Sequence, residues 1–183
     1  MLSGDMDKLY PSAKTLVKDC VASRLRAKDA TLYDFSPAAE ECAEQFMGWT
    51  DLASNPPLPI GQMQAFADEV VADGINTVIL IGQGGSTQAP MTITKYNKVD
   101  KNRVSFKTLD SDSPVRVREM LTGCAPEKTL VIISSKSGST IEPRLLLEAV
   151  RASFDKTLGA DTVKHLVAIT DPGSDLEAQA RAE

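Results

Sequence analysis

Two short stretches concentrate groups that can hold a phosphate. Residues 134–140 read Ser-Ser-Lys-Ser-Gly-Ser-Thr, which puts five hydroxyls, one lysine and one glycine in a single turn. A helix cap uses one hydroxyl, so the others are surplus to a purely structural turn. Phosphate oxygens accept from several donors and a dianion favours a cation, which Lys136 supplies. Residues 82–87 read Gly-Gln-Gly-Gly-Ser-Thr. Glycines let the backbone approach a ligand closely and take positive φ. A helix start just after them offers unpaired N–H groups and a partial positive charge, and Ser86 adds a hydroxyl. The bland alternatives are a polar surface turn at 134–140 and a serine-capped strand-to-helix turn at 82–87. A hydrogen bond to a charged group contributes about 1.5–3 kcal/mol. Four or five of them would hold a phosphate at roughly micromolar to millimolar levels after binding costs.

Neither stretch is a known nucleotide signature. Thr87 stands where the third glycine of GxGxxG belongs, and neither turn is GxxxxGK[ST]. Two donor-rich turns point to a compact monophosphate. Glu142 is either a functional carboxylate beside that phosphate or the capping-box partner of Ser139. Residues 170–174, Thr-Asp-Pro-Gly-Ser, read mainly as a turn leading into a capping serine. His165, the one histidine, sits at a strand start and reads as structural. Trp49 reads as a packing residue. Cys20, Cys42 and Cys124 are widely spaced, which fits free thiols in a reducing compartment rather than a disulfide framework or zinc site. No metal-ligand cluster is expected.

The elements that must position these turns alternate. Short β-branched runs at 77–81, 104–109, 129–133 and 166–169 read as strands, the strongest buried on both faces as in parallel sheets. Helical segments are expected at about 87–97, 114–122 and 140–154, with a Ser113–Pro114 helix start. Ser174-Asp-Leu-Glu177 is a capping box. The expected fold is α/β, a doubly wound parallel sheet (a flavodoxin-like three-layer sandwich) of at least four strands, order 2-1-3-4 or its extension, with helices on both faces. Ligands in such sheets bind beyond the carboxyl ends of the strands, at the topological switch point. Before it lies a helical N-terminal extension, with a helix from Leu9 to Lys28 and a second from Pro37 to about Met47. A proline-rich linker follows at 54–59, then a helix from about Gly61 to Asp73 that stops at Gly74. The expected division is 1–60 for the extension and linker, and 61–183 for the ligand-binding domain. The last helix runs to Glu183 without a C-terminal cap, which reads as a domain cut short.

The 183 residues carry a formal charge of -5. That gives no electrostatic support to general nucleic-acid or anionic-membrane binding. No apolar run approaches the roughly 20 residues of a membrane span, and the N-terminus lacks signal-peptide order. A cytoplasmic, soluble protein is expected.

Ile81–Ser86 with Pro90, Ile133–Thr140 with Glu142, and Ile169–Ser174 resemble, in order and spacing, the first sugar isomerase domain of the phosphoglucose isomerase family. Arg26–Leu32 and Gly48–Leu52 resemble the N-terminal extension of bacterial members, including the branch fused to transaldolase. The resemblance implies a glycolytic and gluconeogenic isomerase of glucose 6-phosphate and fructose 6-phosphate, with no cofactor and a homodimeric parent. It implies that Gly85, Ser86, Ser135, Lys136, Ser137 and Thr140 contact the substrate phosphate. It also implies that Glu142 orients the ring-opening group. Gln83 stands where a hydrophobic residue is usual, and Pro143 where threonine is usual. The family's proton-transferring glutamate and ring-opening histidine lie in later parts of its chain, so this chain alone is expected to be inactive. The rivals are a non-catalytic sugar-phosphate-binding regulatory module, and a nucleotide-binding oxidoreductase domain with Asp110 on a ribose. The missing third glycine speaks against the oxidoreductase domain.

Overall fold

The computed structural model describes residues 13–33, 36–96 and 104–183. The chain divides into two compact units, Met1–Met63 and Gln64–Glu183.

The first unit is helical: α1 (Ala13–Lys18), α2 (Val21–Arg26), a 3₁₀ turn at Ala30–Tyr33, α3 (Pro37–Phe46) and a second 3₁₀ turn at Met47–Asp51. The single helix expected over 9–28 is thus two short ones, and residues 9–12 of it lie outside the described residues. The break falls at Cys20, whose φ of 52° is left-handed and cannot continue a helix. The Ser36–Pro37 start forms as expected, with the serine side chain accepting from the Ala39 N–H. Ion pairs Arg24–Asp29 (2.6 Å) and Lys28–Asp51 (2.9 Å) tie the short pieces together around buried Ala30 and Met47. Trp49 is 62% exposed.

Helix α4 (Ile60–Ala72) ends at Gly74, whose φ of 85° suits a residue without Cβ. The second unit continues β1 (Thr77–Gly82), α5 (Gly85–Tyr96), β2 (Ser105–Leu109), α6 (Pro114–Thr122), β3 (Thr129–Ser134), α7 (Ile141–Leu158), β4 (Leu166–Ile169) and α8 (Asp175–Ala182). The four strands form one parallel sheet of order β2-β1-β3-β4. Unbroken apolar runs are buried on both faces, as expected. Ile79, Ile81, Val131 and Ile133 point one way and are at most 2% exposed; Leu80 and Leu130 point the other way at 4% and 5%. The first set forms one cluster with Leu146, Leu147, Val150 and Phe154 of α7, Leu176 of α8 and partly buried α6 residues. Those α7 positions recur at helical spacing, which is why that stripe faces the sheet. On the opposite face Thr108 reaches the Met91 sulfur of α5 at 3.3 Å. Helices therefore cover both faces. The chain runs from β1 outward to β2, then crosses back to β3, so the switch point lies between β1 and β3.

Candidate functional site

The two donor-rich turns leave the sheet at that switch point. Gly82, the last residue of β1, is the register partner of Ser134, the last of β3. A β-carbon built on Gly82 would stand 2.9 Å from the Ser134 carbonyl oxygen, 3.1 Å from Ser86 Cβ and 3.3 Å from Thr87 Cγ2. Only glycine lets the β1 corner press this closely on the end of β3. Ser86 and the start of the 134–140 corner therefore share one small region. The β1 corner turns through Gly84 at φ 55°. The amide of Ser86 donates to Gln83 O, and those of Thr87 and Gln88 to Gly84 O. Thr87 is buried, its hydroxyl also donating to Gly84 O at 3.2 Å. It is a structural residue of the turn, whereas Gly85 is exposed and Ser86 half-buried at the helix start. Gln83 bridges to the next corner by donating to Asp110 O at 3.2 Å.

In the β3 corner, Ser135 is buried at 5% exposure and its amide donates to Ile169 O. Its hydroxyl is also buried but has no hydrogen-bond partner among the described residues. A buried polar group without a partner costs about 1–3 kcal/mol, so a hydroxyl retained in that state calls for a reason. Ser137 Oγ accepts from the Ser139 amide (3.3 Å) and hydroxyl (2.9 Å), holding the outer turn in shape. Gly138 makes the turn at φ 68°. The N-cap of α7 is Thr140, and it makes no side-chain capping bond, so its hydroxyl does not satisfy the first-turn N–H groups of the helix. Ser139 is not the cap, so the Ser139–Glu142 capping box does not form. Glu142 is half-buried in the first turn of α7. Pro143 is fully buried there; in a first turn its missing N–H removes no helical bond.

A third corner abuts the second, a connection that reading 170–174 as a plain turn misses. The Asp171 amide (3.0 Å) and the Thr170 hydroxyl (3.3 Å) both donate to Lys136 O. Thr170 and Ser174 hydroxyls lie 2.8 Å apart. A β-carbon on Gly138 would meet Ser174 Cβ at 2.8 Å and Leu176 N at 2.9 Å. Half of the expected capping box of α8 forms: Ser174 Oγ accepts from Glu177 N, but the Glu177 carboxylate accepts from Gly173 N, one residue before the cap, at 2.6 Å, and from Arg181, while Ser174 N donates to Asp171 O. The Gly173 bond first, and Arg181 second, hold the Glu177 carboxyl below the usual carboxylate range. The sequence signals for this corner are its chemistry, a threonine and a serine flanking a proline–glycine turn, and its place among the three stretches that carry the family resemblance.

His165 stands at the opposite end of the sheet, where its Nδ1 meets Thr129 O at 2.9 Å, in keeping with a structural role. Among the described residues no group of His, Cys, Asp and Glu could hold a metal ion, and no helix is long and apolar enough to cross a membrane. A groove of about 710 Å³ runs along the outer edge of β2. It lies away from the switch point.

The family model for phosphoglucose isomerase matches residues 61–178. The glucose-6-phosphate isomerase of Synechococcus sp. (strain JA-3-3Ab) is 30% identical over 162 residues, covering 87% of this chain and 29% of that protein. The one from Synechococcus sp. (strain JA-2-3B'a(2-13)) is 37% identical over 108 residues, covering 58% and 20%. The chain thus spans less than a third of the length of these relatives. The crystal structure of a hypothetical protein from Thermus thermophilus is similar with a TM-score of 0.64 at 27% identity, over 94% of this chain and 39% of that one. That of a glucose-6-phosphate isomerase from Chlamydia trachomatis shares the fold, with a TM-score of 0.59 at 24% identity over 86% and 29%. With the sheet order, the two corners at its switch point and the family match over most of the sheet unit all in agreement, the chain belongs to the phosphoglucose isomerase family.

Proposed function

We propose that this chain forms the substrate-phosphate half of an aldose–ketose isomerase interconverting glucose 6-phosphate and fructose 6-phosphate. Gly85 and Ser86 from the β1 corner, and Ser135, Lys136, Ser137 and Thr140 from the β3 corner, hold the phosphoryl group. The observation that carries this reading is the convergence of the two corners, where a β-carbon on Gly82 would meet both Ser134 and Ser86, with the buried, partnerless Ser135 hydroxyl next in sequence. A phosphate oxygen supplies the acceptor that the hydroxyl lacks, and the helix start of α7 adds oriented N–H groups. The relatives' shared name, glucose-6-phosphate isomerase, supports the choice of sugar.

The phosphate is the non-reacting end of this substrate. Energy from binding it is spent on holding C1 and C2 in place for ring opening and for proton transfer through an enediolate. Glu142, in the first turn of α7, orients the group that opens the ring and takes no proton from carbon itself. The 183-residue polypeptide binds the sugar phosphate without turning it over. The setting that goes with this reading is a soluble cytoplasmic enzyme whose full-length form is a homodimer.

The test is calorimetric titration of the chain with fructose 6-phosphate and with NAD, alongside Lys136→Ala and a coupled isomerase assay. Micromolar to millimolar binding of the sugar phosphate, weakened by K136A, supports the reading. Tighter binding of NAD would overturn the substrate, and turnover above the K136A control would overturn the assignment of roles.

A further inference from the structure

We propose that Thr170 is a positioning residue: through its hydroxyl the β4 corner fixes the backbone of the phosphate-holding β3 corner. This rests on the site described under Proposed function. The Lys136 carbonyl receives two donors from the β4 corner, the Asp171 amide and the Thr170 hydroxyl. A threonine hydroxyl has one proton. With that proton on Lys136 O, the 2.8 Å contact to Ser174 has Ser174 as donor and Thr170 as acceptor. Ser174 Oγ in turn accepts from Glu177 N. The result is a directed chain, from the first turn of α8 through Ser174 and Thr170 to the peptide plane joining Lys136 to Ser137.

That plane is the one whose orientation matters. Turning the Lys136 carbonyl toward the β4 corner turns the N–H of the same peptide, Ser137 N–H, the other way, away from β4. Lys136 and Ser137 are both placed on the phosphate. On the other side of the turn Gly138 sits against Ser174 and Leu176 with no room for a side chain, so the two corners are locked together at both ends of the Lys136–Gly138 segment. None of the β4 corner residues is placed on the phosphate. Their effect runs through the Lys136 carbonyl.

The experiment measures binding of inorganic phosphate and of fructose 6-phosphate to the full chain and to Thr170→Val, Thr170→Ser and Ser174→Gly. It is run at a temperature where circular dichroism shows every variant folded. One net hydrogen bond corresponds to about a three- to tenfold loss of affinity, expected for T170V. T170S should return to near the wild-type value. S174G keeps an acceptable N-cap but loses the hydroxyl that orients Thr170, so it should fall between the two, and it carries the test should T170V fail to fold. Unchanged binding by T170V, or a loss in T170S equal to that in T170V, would overturn the positioning role while leaving the phosphate site standing. No binding of either ligand by the wild-type chain would overturn the site itself and this inference with it.

Discussion

Gly138→Ala separates backbone strain from packing at the site. The residue has φ 68°, and an added Cβ would lie 2.8 Å from Ser174 Cβ, 2.9 Å from Leu176 N and 3.0 Å from Ser174 Oγ. The left-handed conformation alone costs a non-glycine residue about 1–2 kcal/mol. Overpacking against a neighbour that cannot move costs about 1–3 kcal/mol more. Leu176 N is backbone at the start of a helix, and Leu176 itself is buried in the core at 3% exposure, so the neighbour does not yield. Gly74→Ala is the matched control: its φ is 85° and nothing lies within 4 Å of its would-be Cβ. The expected losses are about 2–5 kcal/mol for G138A and about 1–2 kcal/mol for G74A. At roughly 4 °C per kcal/mol for a unit of this size, G138A should melt about 8–20 °C below wild type and G74A about 4–8 °C below. Far-UV circular dichroism is the suitable probe, because the lone tryptophan, Trp49, belongs to the first unit. Equal melting of G138A and G74A would refute the claim that the β3 and β4 corners are pressed together.

Other outcomes follow from the same geometry. Ser135→Ala should leave the ligand-free chain as stable as wild type or up to about 2 kcal/mol more stable, because it removes a buried hydroxyl without a partner. The same change should weaken phosphate binding about three- to tenfold; denaturant titration and calorimetry on one preparation check both. Lys136→Ala should lower affinity for fructose 6-phosphate about tenfold or more, with little effect on melting, since its side chain is exposed. Glu177 ties the β4 corner through a carboxyl held below its ordinary value. Its contribution is therefore complete above the unfolded carboxyl value of about 4.3 and is lost as pH falls through the lower folded value. Melting measured from neutral pH into that acid window should fall more steeply for wild type than for Glu177→Gln. Phe154→Ala, at a fully buried position, should cost about 3–5 kcal/mol by thermal melting.

Much of the sheet unit was legible because its signals are local. The β-branched runs at 77–81 and 129–133 can be satisfied only by strands covered on both faces, and glycine, proline and serine mark the turns between. The donor-rich corners were legible for the same reason, since seven consecutive residues carry their chemistry. What escaped depends on contacts distant in sequence. The link from Thr170 to Lys136 spans 34 residues, and no spacing rule announces it. The Gly138–Ser174 contact is equally non-local. The capping box at Ser139–Glu142 had the right letters, but helix α7 starts one residue later, leaving Thr140 at the cap. The break at Cys20 lies inside a segment with regular helical periodicity, where the apolar pattern gives no warning of a left-handed residue.

The central claim is that the β1 and β3 corners grip one phosphoryl group between them. A crystal structure of the chain with fructose 6-phosphate tests it most directly. The phosphoryl oxygens are expected within about 2.5–3.0 Å of the hydroxyls of Ser86, Ser135 and Thr140. A phosphoryl group bound elsewhere, or one reached by the β3 corner while Ser86 stands apart from it, would contradict the account.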